Sequence, residues 1–173
     1  MLTGALASSY YGTPRTTMDV DIVARISGKN LRTKLAPALR MAGLQVDLRR
    51  FDVASRSGLR IVTLRDSTTP FTVDIILSGT KLEKNAGTIL GLPTFYQKPE
   101  DLILAKLRMI KATIPKERAL KDEDDVRAIL KFTKVRMNIV KRRARGNNTL
   151  SILQTITARG PRKNAYARFE LAV

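Results

Sequence analysis

Three aspartates stand where strands should carry apolar side chains. Asp19 and Asp21 flank Val20 and precede Ile22 and Val23, while Asp74 lies between Val73 and Ile75. Side chains alternate along a strand, so Asp19 and Asp21 share one face, and Asp74 joins them if its strand pairs nearby. A trio of carboxylates repels itself unless a cation neutralises it. Oxygen ligands alone select a hard divalent ion, magnesium or manganese. The bland alternative is a separate local salt bridge for each acid in a chain rich in Lys and Arg. The Asp-x-Asp pair and the third acid in a similar apolar frame weigh toward the ion. The chain has no His and no Cys, which excludes Ser-His-Asp triads, thiol nucleophiles, disulfides and zinc held by Cys or His. Chemistry must rest on carboxylates, hydroxyls, Lys and Arg.

The segment before the pair carries Gly4, Gly12, Arg15 and Thr17. Gly4 suits a strand-to-helix turn that lets an anion approach the backbone, with the free N–H groups of the next helix facing it. Arg15 and Thr17 lie close enough in sequence to flank the same site. A single glycine in a turn is ordinary, so this signal is weak alone.

The elements that must position these residues can be read from periodicity. Strands are expected over 19–26, 59–64 and 71–77, with Asp66-Ser-Thr-Thr-Pro70 turning the last two into a hairpin. Leu31, Leu35, Leu39 and Ala42 mark one face of a helix over 29–43. After Pro99 the pattern is helical. Pro99, Glu100 and Asp101 open a helix through Met109 and Ile110, and Val126, Ile129 and Leu130 face inward on a helix over 119–132. Two more helices are expected over 135–145 and 149–158. The fold class is α+β, with a core over 1–98, a helical subdomain over 99–158 and a basic tail over 159–173.

The 173 residues hold 32 Lys and Arg against 15 Asp and Glu, a formal charge of +17. Such a charge favours a polyanionic partner. Residues 134–173 carry ten of the cations and one acid, Glu170, and the cluster Arg142, Arg143 and Arg145 suits the phosphates of RNA. Tyr10, Tyr11 and Tyr96 could stack a base, though packing is the commoner role of a tyrosine. No apolar run approaches the ~18 residues of a membrane span, and Met1-Leu-Thr-Gly lacks signal-peptide character. A cytoplasmic protein without a membrane partner is expected.

Taken together, these motifs resemble the nucleotidyltransferase superfamily that shares the DNA polymerase β fold, and within it AbiEii-like toxins and related prokaryotic domains. Gly4, Ala7, Gly12, Arg15, Thr17, Asp19, Asp21 and Asp74 match the pattern of a Gly turn, Gly-x-x-Arg-x-Thr-x-Asp-x-Asp and a later strand Asp. Downstream, Lys106 matches a helix lysine, and Asp122 and Asp125 match an Asp-x-x-Asp helix. The resemblance spans roughly residues 2–132. It departs at Ala5, where relatives carry Gly or Ser, so a side-chain phosphate contact is lost while backbone N–H groups remain. The chain also begins almost at the turn, which leaves two expectations, a short first strand or a start that lies upstream.

The resemblance implies a small mixed sheet flanked by helices, and transfer of a nucleoside monophosphate from a nucleoside triphosphate to a hydroxyl of RNA, including transfer RNA, or of protein. It implies magnesium or manganese held by Asp19, Asp21 and Asp74, with Asp74 also taking the acceptor's proton. Gly4, Ala5, Arg15, Thr17 and Lys106 would bind the nucleotide, and Lys106 and Asp125 would join the catalytic set. Asp122 is better explained by pairing with Arg118 or Lys121. A toxin role would add an antitoxin protein as partner. The competing expectation is a catalytically weakened nucleic-acid- or partner-binding protein on the same scaffold.

Overall fold

The computed structural model describes residues 1–26, 28–56, 60–115 and 119–158. The basic tail over 159–173, Leu59 and Arg118 lie outside the described residues. In order, the elements are α1 (Gly4–Tyr11), β1 (Asp19–Ala24), α2 (Gly28–Asn30), a π-helical turn (Leu31–Leu35), α3 (Ala36–Met41), α4 (Leu48–Arg56), β2 (Ile61–Arg65) and β3 (Thr72–Leu77). Then follow β4 (Lys84–Ile89), β5 (Leu92–Gln97), α5 (Pro99–Ala112), α6 (Leu120–Phe132), α7 (Met137–Gly146) and α8 (Leu150–Ala158). The α+β class is as expected.

β3 is the central strand of its sheet. It pairs in parallel with β1, placing Asp21 beside Asp74, and antiparallel with β2, placing Thr63 on the other side of Asp74. The β2–β3 turn is closed by the Asp66 carboxylate, which accepts the N–H groups of Thr68 and Thr69, each at 2.8 Å. β4 and β5 form a second hairpin. Residues 1–3 join the two pieces. The Leu2 N–H donates to the Phe95 carbonyl at 2.7 Å, and the Thr3 N–H donates to the Asp21 carbonyl at 2.9 Å. Leu2 bridges Ile22 antiparallel and Tyr96 parallel, so the spatial order is β2, β3, β1, residues 1–3, β5, β4.

The two faces of this sheet have different covers. Ile22, Ala24, Val73, Ile75, Leu77, Val62 and Leu64 pack against Leu31, Leu39, Phe51 and Ala54. The opposite face meets helices only along part of its width. There Leu2, Ala7, Tyr11 and Tyr96 pack with Leu102, Ile103, Leu107, Val126 and Ile129 in a second apolar cluster. α1 and Tyr96 therefore belong to the same core as the later helices.

α4 and the β4–β5 hairpin are absent from the sequence-based expectations. α4 carries four charged residues among nine, and its burial rests on Phe51 and Ala54 with Leu48 partly buried beside them. The second hairpin turns on Leu90 and Gly91, both with positive φ (49° and 78°), a mirror-image turn normally signalled by Asn-Gly. The helix expected over 29–43 forms over 28–41, in three pieces around the π turn, and Ala42 is exposed rather than inward.

Candidate active site

Asp21 and Asp74 sit in register on adjacent parallel strands, so both carboxylates project from the incompletely covered face. Both are half-buried. Asp74 Oδ1 is buried and has no hydrogen-bond partner, and among the described residues no cation pairs with Asp74. Burial pushes the Asp21 carboxyl above its usual range, and the neighbouring Asp74 and Asp19 charges push it further. Lys106 and the N–H of Ala5 act in the opposite direction.

Gly4 makes this packing possible. Its φ is +57°, and a Cβ there would lie 1.9 Å from Asp21 Oδ2. Glycine is thus required both by the left-handed backbone and by the approach of the carboxylate to the start of α1. The Ala5 N–H then meets the Asp21 carboxylate, a favourable place for negative charge at a helix N-terminus. Thr17 braces the start of β1, its hydroxyl bonding both the carbonyl and the N–H of Asp19 at 3.2 Å.

Asp19 departs from the expected trio. It is exposed, and its carboxylate accepts the hydroxyl of Thr72, its register partner on β3. Among the described residues no three His, Cys, Asp or Glu side chains gather tightly enough to hold a metal ion. The physical reason is plain: three like charges without a counter-ion spread apart, and Asp19 has a hydroxyl to turn to. Asp21 and Asp74 remain opposed, and among the described residues Asp74 neither turns away nor pairs with an arginine.

Beside the acids lies an ion-pair network that sequence reasoning split into separate roles. Lys106 Nζ reaches Asp122 at 2.9 Å and Asp125 at 2.7 Å, with the lysine only 5% exposed. Arg15 grips both Asp125 oxygens, from Nε and Nη2 at 3.1 Å each. Arg15 and Lys106 are therefore engaged by α6 carboxylates rather than presented as free phosphate-binding charges. Asp122 pairs with Lys106, not with Lys121. These side chains together are neutral, and the network fastens the segment before β1 to α5 and α6. Lys106 is near enough to Asp21 to favour its ionised form, so the network adjoins the acid pair.

The tyrosines pack among themselves. Tyr96 and Tyr11 are buried, and Tyr10 stacks on Tyr96 with centroids 3.9 Å apart. Farther away, Val140 and Ala144 bury one side of α7, while Lys141, Arg142 and Arg145 are exposed. Among the described residues no helix is long and apolar enough to cross a membrane.

The residues present fit a hard divalent cation. The orphaned Asp74 oxygen and the repelling Asp21–Asp74 pair are oxygen donors that, among the described residues, form no ion pair. Magnesium is commonly held by one or two carboxylates with water and substrate phosphates completing its shell, so the opposed pair is a sufficient protein contribution.

Comparison with known proteins agrees at the level of the fold. No protein-family model matches the chain, and no curated protein matches it in sequence. Among solved structures it is similar to an antigenic nucleotidyltransferase-like protein from Paracoccidioides brasiliensis, with a TM-score of 0.50 and 14% identity over 87% of this chain and 83% of that one. The chain thus has a nucleotidyltransferase-like fold.

Proposed function

We propose that this protein is a metal-dependent nucleotidyltransferase that moves a nucleoside monophosphate from a nucleoside triphosphate to a hydroxyl of RNA. The observation that carries this reading is the Asp21–Asp74 pair, in register on adjacent strands, with Asp74 Oδ1 buried and unpartnered. Asp21 and Asp74, with Asp19 swung from Thr72, would hold magnesium or manganese. Bound there, the cation supplies charge neutralisation for the triphosphate and the leaving pyrophosphate.

The chain's own residues do the rest. Phosphoryl transfer asks for positioning and charge stabilisation more than for covalent chemistry. The Gly4 turn brings the backbone at the start of α1 against the acids, where its N–H groups face anionic oxygens. Ala5 offers only its backbone there, so no side-chain hydroxyl is needed. Asp74 has an unpartnered oxygen with which to take the acceptor hydroxyl's proton as the hydroxyl oxygen attacks the α-phosphorus and the bond to pyrophosphate breaks. Arg15 and Lys106 are positioning residues that hold α6 and the β1 approach together.

The test is incubation with magnesium, α-labelled nucleoside triphosphates and total RNA. Label should enter RNA with the wild type and be lost in Asp74→Asn. Absence of transfer with every nucleotide would refute the reading. Salt-sensitive RNA binding in that case would favour a non-catalytic binder, the role suggested by Asp19 standing apart from the other two acids.

A further inference from the structure

The acid pair lies at a boundary in the sheet. On one side, the α1–α5–α6 layer covers residues 1–3 and β5. On the other, no described element covers the same face of β3 and β2. Along β2 exposure alternates strictly: Val62 and Leu64 are buried, while Ile61, Thr63 and Arg65 are exposed. Register sets these residues in rows with the acids. Thr63, Asp74 and Asp21 form one row, and Arg65, Thr72 and Asp19 the next. On the other side Ile61, which is 48% exposed, adjoins Ile76.

We propose that this open half of the sheet is the platform for the acceptor, a single-stranded nucleic acid, and that Arg65 anchors the phosphate preceding its terminal hydroxyl. The inference rests on the transferase reading. The nucleotide side of the site is the walled side, where Gly4 and the start of α1 stand, so the acceptor must enter from the open one. Arg65 stands one strand over and one row along from Asp74, a diagonal relation of about 7–8 Å. That suits a terminal ribose hydroxyl at Asp74 and its own 5′ phosphate at the guanidinium. Among the described residues Arg65 makes no ion pair, although six acids hold arginines elsewhere. Among the described residues Asp74 is the sole acid on the β2 and β3 side of this face. Ile61 and Ile76 offer an apolar surface to a base face, and Thr63 a hydroxyl beside the reacting end. A guanidinium beside an apolar patch recognises a nucleic-acid strand better than a neutral polypeptide.

The experiment measures binding, not turnover. A short fluorescein-labelled single-stranded RNA is titrated with wild type, Arg65→Ala, Arg65→Lys and, as a control for the basic helix, Arg142→Ala, over a range of salt. Arg65→Ala should weaken binding by about ten-fold or more and reduce the log–log salt slope by about 0.7, the value for one phosphate on a single strand. Arg65→Lys should retain the slope, and ATP binding should be unchanged in every variant. Unaltered affinity and slope in Arg65→Ala, or a loss confined to Arg142→Ala, would overturn the proposal. So would wild-type protein that ignores RNA yet labels a protein. RNA bound through Arg65 without any transfer would instead sink the transferase reading and leave the platform standing.

Discussion

Replacing Asp21 by Asn should make the metal-free protein more stable. Adjacent strands are about 5 Å apart, and two full charges at that distance repel by about 3 kcal/mol at an effective dielectric of about 20. Both carboxylates are half-buried, so water screens this to about 1 kcal/mol. An amide keeps an oxygen for the Ala5 N–H and removes the charge. In a chain of this size the gain corresponds to about 2–4 °C in melting temperature. The pH dependence has a definite sign. Because the Asp21 carboxyl is raised when folded, the native state binds more protons than the unfolded one between the raised value and the ordinary carboxylate value. This group's contribution therefore improves as pH falls through the folded pKa and levels off below the ordinary one. Thermal unfolding in EDTA, with and without excess magnesium, reads all of this. Wild type should be the less stable protein in EDTA, should gain from magnesium by mass action, and should show the acid-side gain that Asp21→Asn lacks. A variant that is destabilised in EDTA, or a wild type indifferent to magnesium, would refute the account of an uncompensated acid pair.

Other perturbations have equally definite outcomes. Gly4→Ala forces a Cβ onto Asp21 Oδ2 at a left-handed backbone position; it should cost about 2 kcal/mol or more in urea unfolding and abolish transfer. Lys106→Met removes a buried cation between Asp122 and Asp125 and should destabilise by about 3–5 kcal/mol, with Asp125→Asn combined with it recovering part of the loss. Burial alone would raise the Glu100 carboxyl, but the side-chain and backbone hydrogen bonds of Arg136 outweigh it and leave it below its usual value. That contribution is present above the ordinary carboxylate pKa and is lost as pH falls through the lowered one. Glu100→Gln should remove this acid-side loss from the stability–pH profile.

Much of the frame was legible in the sequence, because strict alternation and three-to-four spacing are local. Ile75 between alternating partners, and Val126 with Ile129, were readable, and the structure buries each of them fully. The acid pair was legible for the same reason, since a charge in a strand of β-branched residues breaks a local rule. What escaped was either weakly coded or non-local. α4 shows few inward marks, with Phe51 and Ala54 buried and Leu48 partly so, and the β4–β5 turn places a leucine, Leu90, at positive φ where asparagine is usual. The Arg15–Asp125 pair joins residues 110 apart, a pairing that periodicity does not encode. Reading Arg15 and Lys106 as phosphate ligands followed from their motif, whereas their pairing with the α6 carboxylates follows from packing. The splaying of Asp19 toward Thr72 reflects electrostatics between strands whose register had to be known first.

The account stands on the affinity of two facing carboxylates for a hard cation. The most direct measurement is anomalous diffraction from a crystal soaked in manganese with a non-hydrolysable nucleoside triphosphate. The account predicts a peak between Asp21 and Asp74, with Asp19 turned from Thr72 toward it. A map with no peak there, or with Asp74 closed on a protein cation instead, would contradict it.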